Sequence, residues 1–200
     1  VSKAEDVSKL LAQTSNLRGV VHAAGVLDDG MLMHQSPKRF LKVAGPKVSG
    51  AWNLHIQTKD LPLDFFVLFS SVASIIGSPG QSNYAAANAF MDGLAHHRKH
   101  QGLVATSINW GPWSDVGMAA SDVVLQRLMK DGWQPMNASQ GCDFIGHLLK
   151  VCKLPQAAVL PVDWRQFAAS IPGAVNWNIL SHFVSKEQSN PLLGSSAELA

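Results

Sequence analysis

The stretch from Phe65 to Phe90 constrains this chain more than any other. Phe65-Phe66-Val67-Leu68-Phe69 is apolar at every position, without alternation, as in a parallel strand covered on both faces. It ends in the hydroxyls of Ser70-Ser71, crosses Gly77-Ser78-Pro79-Gly80, and enters an alanine-rich helix that opens with Tyr84, the one tyrosine of the chain. Strand, polar tip, loop and helix in that order place side chains at the carboxyl end of a sheet, where open α/β folds hold their ligands. A serine and a tyrosine delivered there point to proton transfer on an oxygen.

The flanking pattern extends the same architecture. Residues 3–14 read as an amphipathic helix, and Gly19-Val20-Val21-His22-Ala23-Ala24-Gly25 as a short buried strand running into a small-residue loop. Ser36-Pro37 is a serine cap with proline at the first helical position; the helix runs to Gln57, with a bend or restart at Gly45-Pro46. Strands are expected at 64–71, 103–110 and 157–160, and helices at 81–101, 123–130 and 138–150. The Ser-, Asn- and Gly-rich tail from Ser185 reads as linker. Strands alternating with helices predict a doubly wound parallel α/β sheet.

Composition narrows the function classes. With 46% hydrophobic and 15% charged residues the chain is globular, and a net charge of +2 gives no electrostatic case for nucleic acid or an anionic membrane. No apolar run reaches the ~18 residues of a membrane helix, so a cytoplasmic protein is expected. Cys142 and Cys152 read as buried reduced thiols, no metal site is expected, and His96-His97-Arg98-Lys99-His100 reads as a solvated helix end.

A dinucleotide fold begins with a strand and a G-x-G-x-x-G turn seating the pyrophosphate. The chain holds no such turn; Gly77-Ser78-Pro79-Gly80 has the wrong spacing, and Pro79 removes a donor. Either no dinucleotide binds, or that half lies upstream of Val1, which begins in the middle of a helical pattern.

Tyr84 and Asn88 are one helical turn apart on one face. A free phenol titrates near ~10, so it needs a nearby cation to work at neutral pH, and Lys47 is available to supply one. Ser71 would hydrogen-bond a substrate carbonyl while Tyr84 delivers the proton, with Ser70 and Ser74 as rivals for that hydroxyl.

Four blocks carry a family resemblance: residues 20–26 (Val-Val-His-Ala-Ala-Gly-Val), 47–55 (Lys-Val-Ser-Gly-Ala-Trp-Asn-Leu-His), 69–90, and 107–113 (Ser-Ile-Asn-Trp-Gly-Pro-Trp). Across residues 1–170 the chain resembles the ketoreductase domain of modular polyketide synthases, a branch of the short-chain dehydrogenase/reductase superfamily. Ordinary members read Tyr-x-x-x-Lys with an asparagine on the preceding helix; this branch exchanges the two, as do Tyr84, Asn88 and Lys47.

The resemblance implies a Rossmann-like sheet lacking its N-terminal dinucleotide-binding half, with 1–170 the carboxyl-terminal part of the catalytic domain. Residues 171–200 would be its end and a linker toward an acyl carrier protein. It implies NADPH-dependent reduction of a phosphopantetheine-linked β-ketoacyl thioester on that carrier, beside other domains of the same megasynthase. Tyr84 would be the proton donor, Ser71 the carbonyl-orienting hydroxyl, Lys47 the cation and ribose ligand, and Asn88 the ordering residue. Ala23-Ala24-Gly25 would pass under the cofactor, Pro112 would stand beside the nicotinamide, and Met118 would lie in a lid over 114–132. Leu27-Asp28-Asp29, with Pro79 and Asn83, matches the B-type motif for a D-hydroxyl; Ile76 stands where A-type members carry tryptophan. Outside this reading, Asp28-Asp29 is simply a solvated turn. The alternatives are a non-catalytic scaffold, an inactive fragment, or a stand-alone fatty-acid-type reductase, the last disfavoured by the exchanged Lys/Asn pair.

Overall fold

A computed structural model describes residues 1–115, 122–151, 154–171, 173 and 176–188. Four strands form one parallel sheet in the order β1 (Gly19–His22), β2 (Phe65–Ser71), β3 (Thr106–Trp110), β4 (Gln156–Val159). The nine α-helices described are α1 (Ala4–Ala12), α2 (Pro37–Ala44), α3 (Gly50–Thr58), α4 (Ala73–Ile76), α5 (Ser82–His100), α6 (Asp122–Lys130), α7 (Ala138–Val151), α8 (Trp164–Ser170) and α9 (Ser181–Gln188). The expected parallel α/β architecture is present, and the described strands succeed one another without a change of direction in strand order.

The chain divides into two compact units. The first comprises Val1–Gly111 and Ser139–Val159, the second Pro112–Ala138 and Leu160–Ala200. In the first, Val7 of α1, Ala51 and Leu54 of α3, and Met91, Leu94 and Ala95 of α5 close over Val20, Phe66 and Leu68 of the sheet. Parallel register sets Val20 beside Phe66 and His22 beside Leu68, so these side chains share one face. In the second unit, Phe167 packs edge-on against Trp133 and Trp164, and Phe183 of α9 stacks on Trp164 at 4.6 Å.

Three elements differ from expectation for physical reasons. Ser36 caps α2 and Pro37 opens it as predicted, but at Gly45–Ser49 the backbone forms a π turn, with Gly50 N donating to Gly45 O, before α3 begins. Pro46 has no N–H for the ordinary ladder, and the wider turn accommodates it. The helix α9 continues to Gln188 inside the stretch read as linker, because Val184 is buried and Phe183 has a stacking partner. Cys142 is exposed, not buried; Cys152 lies outside the described residues.

Among the described residues no helix is long and apolar enough to cross a membrane, and no His, Cys, Asp and Glu group could hold a metal ion.

Candidate active site

Every strand of a parallel sheet delivers its last residues to the same edge. At that edge β1 leads into Ala23-Ala24-Gly25, β2 ends in Ser70-Ser71, and β3 ends at Trp110, paired with Ser71. The turn after β2 is compact: Ser71 Oγ accepts from Ala73 N at 3.2 Å, and Ser74 Oγ lies 2.8 Å from the Ser71 carbonyl. Gly77 and Gly80 both take φ of 77°, which a side chain would strain. Gly80 O also receives Gly30 N at 2.8 Å.

The opening of α5 lies against this turn. Tyr84 is 9% exposed and packs with Val43, Ala73 and Ala87, with Leu27 against the same cluster. Asn88, fully buried one turn on, donates to Tyr84 O at 2.8 Å. Burial pushes the Tyr84 phenol above its ordinary value; Asn88 and Ser71 draw it down, and the charge of Asp29 adds to the rise.

The π turn carries Lys47, 3% exposed, with Nζ 3.1 Å from Phe69 O and 5.1 Å from the centre of the Tyr84 ring. Burial lowers this ammonium to about 8, with the negative charge of Asp92 working in the opposite direction. The neighbouring His22, 3% exposed, is held down at about 4, first by burial and then by Lys47.

The three serines are differently engaged. Ser70 Oγ donates to Asn88 O at 3.3 Å and receives Asn109 Nδ2 at 3.1 Å. Ser74 Oγ is bound at 2.6 Å to Asp92 Oδ2. Ser71, half-buried, has a hydroxyl that accepts from the turn and acts on Tyr84.

Leu27-Asp28-Asp29 is a tethered loop. Asp28 pairs with Arg39 at 2.6 Å and Lys42 at 3.1 Å, its carbonyl accepts from Asn83 Nδ2 at 2.8 Å, and Asp29 accepts from Gln81 Nε2 at 2.9 Å. These links bind the loop to α2 and to the start of α5, so Asp28 is not the solvated turn of the alternative reading. Pro79 is exposed, whereas Asn83 is 1% exposed. Pro112 belongs to the second unit, where its carbonyl accepts from Met136 N at 3.0 Å. Met118 lies outside the described residues.

Sequence reading did not reach Asp92. It accepts from Ser107 Oγ at 2.6 Å, Ser74 Oγ at 2.6 Å and Asn109 Nδ2 at 2.9 Å. The signal was available: Tyr84, Asn88 and Asp92 recur every four residues, one stripe along a helix.

The KR domain family matches residues 1–115. Polyketide synthase GfsA of Streptomyces halstedii is 45% identical over 164 residues, which is 82% of this chain and 2% of that protein. The phenolphthiocerol synthesis polyketide synthase type I Pks15/1 of Mycobacterium marinum is 46% identical over 158 residues, 76% of this chain and 8% of that protein. Among solved structures, an A-type ketoreductase from a modular polyketide synthase has a TM-score of 0.80 at 38% identity, covering 84% of this chain and 36% of that one. A ketoreductase from the first module of phoslactomycin biosynthesis in Streptomyces sp. HK803 has a TM-score of 0.80 at 32% identity, covering 86% and 41%. The chain thus spans a small part of these synthases and less than half of these ketoreductases. The fold is that of the short-chain dehydrogenase/reductase class. Within it, the chain belongs to the KR domain family, the ketoreductases of polyketide synthases.

Proposed function

We propose that this chain carries the proton-transfer machinery of a reductase acting on a β-ketoacyl thioester borne by an acyl carrier protein. The carrier and neighbouring synthase domains would be its partners, reached through residues 171–200. The single observation behind the reading is that Lys47 and Ser71 lie against the buried Tyr84 at one sheet edge.

A nicotinamide cofactor fits the residues present. Lys47 uses one N–H on Phe69 O and has two more for ribose hydroxyls. Asn88 Oδ1 is buried without a partner among the described residues, and Ala23-Ala24-Gly25 presents no bulky side chain to a flat ring. Lys47, Tyr84, Ala23, Ala24 and Gly25 would hold it, and NADPH is the form proposed. Bound there, it supplies hydride to the β-carbon.

The side chains manage the oxygen. Ser71 donates a hydrogen bond to the ketone and stabilises the charge that develops on it. Tyr84 then gives up its proton to that oxygen, leaving a phenolate. The Lys47 ammonium favours that phenolate, against the burial that raises the phenol. Asn88 fixes the helix turn from which Tyr84 projects. Leu27, packed in the Tyr84 cluster, and the tethered Asp28-Asp29 loop would set the face of approach, with Pro79 and Asn83, giving the D-configured hydroxyl of B-type enzymes.

The test is NADPH oxidation with a β-ketoacyl thioester, using the full polypeptide that contains this chain, followed by chiral analysis. Turnover to the D-β-hydroxy thioester is expected. A predominantly L product removes the stereochemical assignment, and a folded, NADPH-binding polypeptide without turnover makes the domain a scaffold.

A further inference from the structure

The buried carboxylate of Asp92 touches neither the proposed reacting atoms nor any cation within salt-bridge distance among the described residues, yet it is held by three donors. It is 7% exposed, and Ser107 and Asn109, which bind it, are fully buried. All three neighbours can donate, the arrangement an ionised carboxylate requires in a water-poor interior. A hydroxyl at 2.6 Å from a carboxylate is a strong, charge-assisted bond, so Ser74 gives its only proton to Asp92. Ser74 Oγ is then left to accept from Asn109 Nδ2 at 2.8 Å. The same Asn109 amide lies 3.3 Å from the Ser71 carbonyl and 3.1 Å from Ser70 Oγ. Gln156 Nε2 donates to Asn109 Oδ1 at 3.0 Å, which fixes which end of that amide faces Asp92. Through Ser74 and Asn109 the carboxylate therefore holds both ends of the turn that carries Ser71.

We propose that Asp92 is a positioning residue for the reduction: it anchors the Ser71–Ser74 turn through Ser74 and Asn109. Tyr84, Asn88 and Asp92 lie on one stripe of α5, so one rigid helix presents the proton donor, its neighbour and the anchor together. Beside Lys47 stand His22 of β1 and the Tyr84 ring of α5, whereas Lys42 of α2 is turned to Asp28. The charge of Asp92 favours the charged lysine, and the Lys47 charge disfavours that of His22.

The inference rests on the reductase reading. The experiment compares wild type, Tyr84→Phe, Asp92→Asn and Ser74→Ala in the full polypeptide, measuring kcat and KM for NADPH-dependent thioester reduction from pH 6 to 10, with melting temperature alongside. Asp92→Asn keeps the shape, removes the charge, and is expected to lower kcat about 10²-fold, the cost of a misplaced reacting group, with KM little changed. Its activity should also fade at lower pH than the wild type, whose Lys47 loses its proton near pH 8. Ser74→Ala cuts the link to the turn but leaves the charge, so kcat should fall while the pH profile stays where it was; this variant reports even where Asp92→Asn does not fold. Unchanged kcat in both folded variants, or an unchanged pH profile in Asp92→Asn, overturns the inference while an active wild type and an inactive Tyr84→Phe leave the reductase reading standing. A wild type without reductase activity overturns that reading and the inference with it.

Discussion

Helix α5 buries two charges, Asp92 in its middle and Arg98 in its last turn, and surrounds them differently. Asp92 takes three hydrogen bonds from neutral donors on β3 and on the turn after β2, at the edge where Ser71 and Tyr84 meet. Arg98, 1% exposed, has no carboxylate partner among the described residues: Nε donates to Val104 O at 3.1 Å, Nη1 to His55 Nδ1 at 3.1 Å, and its carbon lies 3.9 Å over the Phe66 ring. Burial lowers it to about 10. Arginine can only donate, so His55 must offer a bare Nδ1, and burial, followed by the charge of the neighbouring guanidinium, holds its imidazole below the usual range. Trp52 and His97 close the cluster at 5.1 and 5.6 Å from His55. One buried charge steadies the chemistry; the other ties α3, α5 and β2 together at a distance from it. Desolvating a charge is costly in both places, but only around Asp92 would a change of partner move a reacting group.

That contrast can be broken by separating stability from turnover. Arg98→Ala should cost about 3–5 kcal/mol in denaturant unfolding, since it opens a cavity and strands His55 Nδ1 and the Val104 carbonyl. Turnover per folded molecule should stay near wild type; loss of turnover with stability retained would place Arg98 in the site after all. Acid sharpens the comparison. With His22 at about 4 in the folded chain against an ordinary 6.5, the unfolded state binds more protons between those values. Stability therefore falls as pH drops from about 6.5 to 4, by on the order of 3 kcal/mol for His22, with His55 contributing in the same direction. His22→Gln should flatten that slope; an undiminished slope would assign the acid sensitivity elsewhere.

Much of this was readable in the residues. The uninterrupted apolar run 65–69 requires cover on both faces, Ser36-Pro37 specifies a helix start, and the Tyr84–Asn88 spacing fixes a shared face; all three describe local backbone physics. What escaped was long-range. His96-His97-Arg98-Lys99-His100 is solvated in composition, yet Arg98 turns inward because His55, far away in sequence, offers a bare nitrogen and Phe66 a ring. The burial of Lys47 depends on a π turn that Gly45-Pro46 signals only as a bend. Asp28 looks like a turn residue until Arg39 and Lys42 meet it. Asp92 shared the periodicity of Tyr84 and Asn88, but its donors come from β3 and from the turn after β2.

The most direct measurement of the central claim is Tyr84→Phe in the full polypeptide, assayed for β-ketoacyl thioester reduction and, separately, for NADPH binding. Loss of the proton donor is expected to lower kcat by at least ~10²-fold while Lys47 and the Ala23-Ala24-Gly25 loop still bind NADPH. Near-normal turnover by Tyr84→Phe would contradict the account, because the group at which Ser71, Lys47 and Asn88 converge would then not be the one that protonates the product.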